Sequence, residues 1–472
     1  MIKLEKLCLF FNAILFAINN DVFNLLFYYL SKVIQVCYYM NFVSKLTKVI
    51  FFTAIIISLQ KLHAQNVEKT YSSNIKTIQL FQYGNQQGIP VYNIDNPNKL
   101  ELDFDDLDGG YKNYYYTFVL CDYNWKPSSL NSFDFIKGFI QNRITTYRFS
   151  NLAYKKYTHY QAILPGKDGY PVKSGNYLLK VYLDGDTSKV VFTKQMLVVQ
   201  QKAIISSEVV QPFSTQLFYT HQRLRFTVNN KVNNTFSAAQ QFKVVILQNN
   251  RWDNAQRDIA PTYVRGNMLE YNSENIGVFP GGKEWRWLDI RSFRLYGDRV
   301  DNGVYNDVIA EFNLKNDIDR TTQQYIYFPD YNGLYNISTY ESINPFWQGD
   351  YAKFNFNFSP PDRIPYYNKD IYIAGAFSGY NLTDEWKMTY NREKETYEGS
   401  AFLKQGYYNY TYILADKKDP SQKTDLEGNY WETENDYTIL VYYKSFTDRN
   451  DQLIGVSTIN SRKTAVARPM VN

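Results

Sequence analysis

The chain has 472 residues, with 51 Lys and Arg against 46 Asp and Glu, and only 3 His and 3 Cys. A formal charge of +5 over that length supplies no basic stripe for nucleic acid or an anionic membrane, and so few cysteines build no disulfide framework. The apolar content is carried by aromatics, 44 Tyr and 32 Phe, which suit pleated, half-buried surfaces, so the expected class is all-β; the length exceeds what a single core fills.

From the N-terminus, residues 1–39 lack a polar domain of their own and read as an upstream extension. Asn12, Asn19, Asn20 and Asp21 interrupt the Leu9 to Val33 stretch as a membrane anchor, since one acid at the bilayer centre costs about 3 kcal/mol. Residues 40–64 have the grammar of a signal peptide: Lys45 and Lys48, an apolar run from Val49 to Leu59, and Leu62-His63-Ala64. Cleavage after Ala64 is expected, because the run is shorter than the roughly 20 residues that span a bilayer. Six basic and two acidic residues leave with that leader, so the remainder carries 45 against 44, with Cys121 its one thiol and His159 and His221 its imidazoles.

Period-two segments then recur between turn signals. Tyr114 to Leu120 reads as a strand; Leu179, Val181 and Leu183 share a face before an Asp184-Gly185 turn and a return through Val190-Val-Phe, which is a hairpin. Ser128 to Phe139 has room for a helical turn or two. Leu224, Phe226 and Val228 alternate with Arg223, Arg225 and Thr227 ahead of an expected Asn229-Asn230 turn, and another strand is expected over Phe242 to Leu247. Composition breaks at 200–207 and at the prolines of 359–365 divide the chain into sandwich units 65–203, 204–362 and 363–460, with a tail over 461–472. Strand spacing near ten residues without a fixed repeat suits immunoglobulin-like sandwiches rather than propellers.

Few segments carry chemistry. Cys121 and His159 are residue types of a nucleophile and its base, but no oxyanion motif or orienting partner accompanies them, and Cys121 reads as strand packing. In Asp103-Phe-Asp-Asp-Leu-Asp-Gly-Gly the carboxylates suit a hard cation; the glycine that a calcium loop requires would fall on Asp108, so the segment reads as a solvated acidic turn. No cofactor or metal is expected. Trp125 reads as a roof over the core. Between Glu284 and Arg294 lie Trp285, Arg286, Trp287, Arg291 and Arg294, the side chains that dominate binding hot spots, and this is the expected contact surface. The competing reading is a sandwich corner at Gly281-Gly282, with Asp289 pairing an arginine internally.

Cys121-Asp-Tyr-Asn-Trp-Lys-Pro, Tyr157-Thr-His-Tyr160, Ser174-Gly-Asn-Tyr, Phe279-Pro-Gly-Gly-Lys-Glu-Trp-Arg-Trp-Leu-Asp and Gln348-Gly-Asp-Tyr351, in this order, resemble the plug protein family of the Bacteroidota type IX secretion system. The resemblance implies a non-enzymatic periplasmic β-sandwich protein that docks on the outer-membrane translocon barrel and closes its pore when no cargo shuttle is bound. It implies neither nucleic acid as a partner nor insertion into the membrane. The third unit resembles an early-set sandwich of the glycogen-binding kind over Ile371 to Asn381 and Leu403 to Ile413. There the first sugar-stacking tryptophan is replaced by Tyr380 and the loop after Ile413 has no aromatic, so Tyr380 reads as a packing tyrosine and carbohydrate is not the expected partner; an envelope glycan-binding module is the alternative function.

Overall fold

Alternation of apolar and polar residues along almost every segment produces strands whose two faces meet different neighbours. In the computed structural model, residues 67–232 and 237–462 are described, and nearly all regular structure is β. The expected upstream extension, the signal peptide and residues 463–472 of the tail lie outside the described residues.

The first sandwich pairs two sheets. One runs in the order Lys69–Thr70, Val190–Val199, Gly175–Leu183, Tyr114–Cys121, Asn142–Arg143, with Val91–Asn93 parallel to Val190–Val199. The other runs Ile75–Gln82, Leu100–Asp106, Thr158–Leu164, Thr146–Phe149. Leu102, Phe104 and Tyr160 from the second sheet share a core with Phe118, Val181 and Phe192 from the first. Phe104 stacks on Tyr160 at 5.2 Å and meets Phe192 edge-on at 5.1 Å, an arrangement worth more than the buried area alone. The hairpin expected around Asp184-Gly185 is present, with φ of 55° and 72° at those residues, as a tight hairpin turn requires. The short helix Ser132–Phe135 is closed by a capping box between Asn131 and Asp134.

The other two sandwiches do not follow the 204–362 and 363–460 division. One sheet of Ala203–Val210, His221–Asn230, Met268–Tyr271, Tyr263–Arg265 and Val278–Pro280 faces another of Phe242–Gln248, Asp436–Tyr443 and Gln452–Asn460; Phe226, Val244, Tyr271 and Ile439 share their core. The remaining sandwich lies between these segments in sequence. Gly406–Asp416 pairs with Arg286–Asp289, Tyr335–Ile337, Lys369–Ala374 and Lys423–Asp425. Opposite stands a sheet in which Tyr351–Ser359 pairs with Thr396–Lys404 and, in parallel, with Ala310–Leu314. Pro360 and Pro361 do end a strand, but the next strand of the same sheet comes from beyond them. A proline cluster removes ladder donors locally and does not stop a sheet from continuing with a distant segment.

Two smaller corrections have the same origin. Asn229 and Asn230 complete the His221–Asn230 strand instead of turning, and Arg223, on the face opposite Leu224, Phe226 and Val228, is buried and paired with Glu274 at 3.1 Å. Finally, Cys121, Trp125, Leu197 and Val199 pack with Val245, Leu247, Leu440 and Tyr442, so the first sandwich shares a core with the strands that follow it. All described strands belong to one compact unit.

Candidate functional site: two buried charge networks

The strand Leu100–Asp106 places Leu100, Leu102 and Phe104 in the first core and turns Glu101, Asp103 and Asp105 to the opposite face. Those acids were expected in solvent, yet Asp103 and Asp105 are each only 1% exposed because Tyr351, Phe346 and Lys404 of a neighbouring sandwich cover them. His159, directly opposite Asp105 in the ladder, approaches it with Nδ1 at 2.8 Å and reaches Asp103 with Nε2 at 3.2 Å. Asp105 Oδ2 accepts from Tyr351 Oη at 2.6 Å and from the Lys404 ammonium. Lys404 also donates to the Phe346 carbonyl at 2.6 Å and sits over the Tyr157 ring at 4.1 Å.

With both carboxyls ionised and Lys404 charged, a charged imidazole makes the group neutral, while burial raises Asp103 and depresses Lys404. Both ring nitrogens face carboxylate oxygens, and a neutral imidazole has a single N–H to offer. Burial alone would depress His159, but the carboxylates of Asp103 and Asp105 facing its two ring nitrogens more than offset it and hold the ring above its ordinary value. Burial would likewise raise Asp105, and Lys404 with His159 reverses that, holding the carboxyl below the usual range. Nearby, Asp350 accepts from the backbone of Tyr154 and Lys155 and from Tyr305 Oη, and so ties the 150–157 loop of the first sandwich to the same neighbour.

The second network is built on the Glu284 to Arg294 segment. Gly281 forms its corner: a Cβ there would lie 2.1 Å from the Tyr430 carbonyl oxygen. On the strand Arg286–Asp289, Arg286 and Leu288 face inward, and Arg286 is 5% exposed. Its Nε donates to Glu427 at 2.8 Å, Nη1 to Asp317 at 2.7 Å and Nη2 to the Ile318 carbonyl at 2.7 Å. Trp285 is 8% exposed, against Tyr380 and Arg251, and its backbone N–H donates to Asp330 Oδ2 at 2.6 Å. Trp285 and Arg286 are therefore corrected from contact surface to interior: a buried guanidinium with three satisfied donors belongs to the fold. Trp287 is half-buried, edge-on to Phe328, with Nε1 on Asp298. Arg291 pairs with Asp289, and Arg294 is exposed. Only Arg286 and Trp287 of the five meet at one pocket, of about 220 Å³. Beside it, Glu284 is buried, Oε1 accepting from Tyr325 Oη and the Glu434 N–H while Oε2 has no partner. Burial lifts this carboxyl to about 7.

The other residues singled out in the sequence fall apart in space. Cys121 lies in the cluster shared with Trp125 and Tyr442, its thiol pushed up to about 12 by burial, whereas His159 is held between carboxylates on a strand of the other sheet. Trp125 is buried, edge-on to Trp252 at 4.8 Å, as a roof over the core. Tyr380 has Arg251 over its ring at 4.4 Å and Trp285 beside it, so it packs internally. Lys404 carried no signal that sequence reading could use; the period-two spacing of Asp103 and Asp105 did.

Replacing Lys404 by Met leaves the acids with one cation, and urea denaturation followed by tryptophan fluorescence is expected to show a loss of about 3–5 kcal/mol. Adding Asp105→Asn to that variant is expected to cost less than the sum of the two single changes. Glu284 titrates at about 7 in the folded chain against an ordinary 4.5, so the folded state binds more protons between those values and stability falls as pH rises through them. Glu284→Gln is expected to remove on the order of 2 kcal/mol of that fall, read as urea midpoints at about pH 5 and pH 8.

Residues 75–200, the body of the first sandwich, match the family described as type 9 secretion system plug protein 1st domain. No curated protein matches the chain. The crystal structure of a hypothetical protein from Parabacteroides merdae is similar at a TM-score of 0.79 and 30% identity, over 83% of this chain and 98% of that one. Among the described residues no helix is long and apolar enough to cross a membrane. With the plug domain matched in its first sandwich and a relative aligned over nearly its whole length, this chain belongs to the type 9 secretion system plug protein family.

Proposed function

We infer that the protein is a non-enzymatic periplasmic plug, exported by the signal peptide ending at Ala64, which docks on the outer-membrane translocon barrel and closes its pore when no cargo shuttle is bound. The observation that carries this reading is the family match over residues 75–200. A steric role is supported by where the charged groups stand: Asp105, His159 and Lys404 are committed to one another inside the protein, Arg286 to Asp317 and Glu427, and burial holds the Cys121 thiol protonated.

A stopper needs breadth and stiffness more than chemistry, and three sandwiches joined through shared cores and buried ion pairs supply both. Exchange with a shuttle requires a reversible, partly polar contact. Trp287, Arg291 and Arg294 are the residues of the expected surface that keep some exposure and are proposed to contribute to it.

An affinity-tagged copy expressed in its native envelope is expected to co-purify the translocon barrel, and deletion is expected to raise outer-membrane permeability to a small impermeant dye. Absence of the barrel from the purified material together with unchanged dye entry contradicts the plug reading.

A further inference from the structure

The pocket beside Arg286 is unbalanced in charge. Lys283, Arg286, Arg299 and Arg320 line it, while the carboxylates that meet these cations are Asp317 and Glu427. Asp298 stands outside, exposed, on the Trp287 indole N–H. In direct ion pairs the wall thus holds two more cations than carboxylates, with Glu284 buried beside it and Asp330 within electrostatic reach of Arg320, at a place where Arg286 and Lys283 are buried and Arg299 and Arg320 mostly so. Cations removed from water without counter-charges are costly, and a fold that keeps them has something to gain from an anion.

Donors remain to receive one. Arg299 makes its hydrogen bonds, to Asp317 and the Tyr410 hydroxyl, through Nη2, so its Nε and Nη1 are unbonded among the described residues. Arg320 uses Nε on Glu427 and Nη2 on the Glu284 carbonyl, which leaves Nη1. Lys283 spends two protons on the carbonyls of Arg320 and Gln323 and retains a third. Burial, followed by repulsion from Arg320 and Arg286, depresses Lys283, as expected of cations crowded together without enough acid.

We propose that this pocket binds a phosphate-class dianion, inorganic phosphate or the phosphate of a small monoester, on Lys283, Arg299 and Arg320. Two excess charges match a dianion, and a monocarboxylate would leave one of them unanswered. Planar guanidinium forks suit tetrahedral oxyanions, and the half-buried Trp287 and Phe328 keep water from one side, which strengthens charge-assisted hydrogen bonds. The volume of about 220 Å³, with the exposed residues Gln323, Gln324 and Ile326 at the mouth, admits a small ligand. This site stands independently of the plug reading.

Isothermal titration of the purified protein with inorganic phosphate, at ionic strength matched with chloride, is expected to give saturable one-to-one binding. Arg299→Gln is expected to weaken it at least tenfold. Ile326→Glu, a change on the exposed rim that disturbs no ion pair, is expected to do the same by placing a carboxylate at the mouth, and so keeps the test open if the arginine variant fails to fold. Wild-type phosphate affinity in Ile326→Glu or in a folded Arg299→Gln, heat from phosphate no greater than from chloride, or binding of succinate in place of phosphate would each overturn the proposal.

Discussion

The architecture depends on one buried ion pair, Lys404 with Asp105, and on the imidazole that completes its charge balance. Asp105 stands on a strand of the first sandwich and Lys404 on a strand of another, 299 positions further along the chain. Such a pair adds little to stability when compared with apolar side chains of the same shape, because desolvation takes back most of the attraction. Its effect is on specificity. Any displacement of one sandwich on the other strands a carboxylate or an ammonium away from water, so relative movement is penalised steeply where an apolar contact would tolerate sliding.

That constraint acts together with the interleaved topology. The chain leaves the second sandwich at Pro280, builds the third from Arg286 to Asp425, and returns with Asp436–Tyr443 and Gln452–Asn460 to complete the second. The second sandwich does not close without strands from both sides of the third, which is inserted within it. The first sandwich has self-contained ladders, and it is the part covered by the family match at residues 75–200. It is nevertheless joined to the rest by the Cys121 and Trp125 core on one side and the Asp105 junction on another. For a protein proposed to act by filling a pore, this joining is the functional property, since a hinged body would leak.

What was legible in the sequence follows from which interactions are local. Period-two alternation and turn chemistry placed the strands around Tyr114 to Leu120, the hairpin at Asp184-Gly185 and the strand through Leu224, Phe226 and Val228, because those depend on neighbours in the chain. The division at residue 362 misled because pairing partners for Tyr351–Ser359 are set by long-range packing. The acids at 103–106 were assigned to solvent for a related reason: the alternation correctly separates Phe104 from Asp103 and Asp105, but nothing local tells that the second face is covered as well. The Trp and Arg run at 285–294 has the composition of a contact surface and also that of a sandwich corner, and burial of Trp285 and Arg286 decides for the corner at those two positions.

Calorimetry tests the central claim, that the sandwiches form one mechanical body, most directly. Thermal unfolding of the purified protein is predicted to show a single heat-absorption peak that carries the first sandwich together with the other two. A separate, earlier peak assigned to the first sandwich, with the remainder still folded by circular dichroism at that temperature, would contradict it.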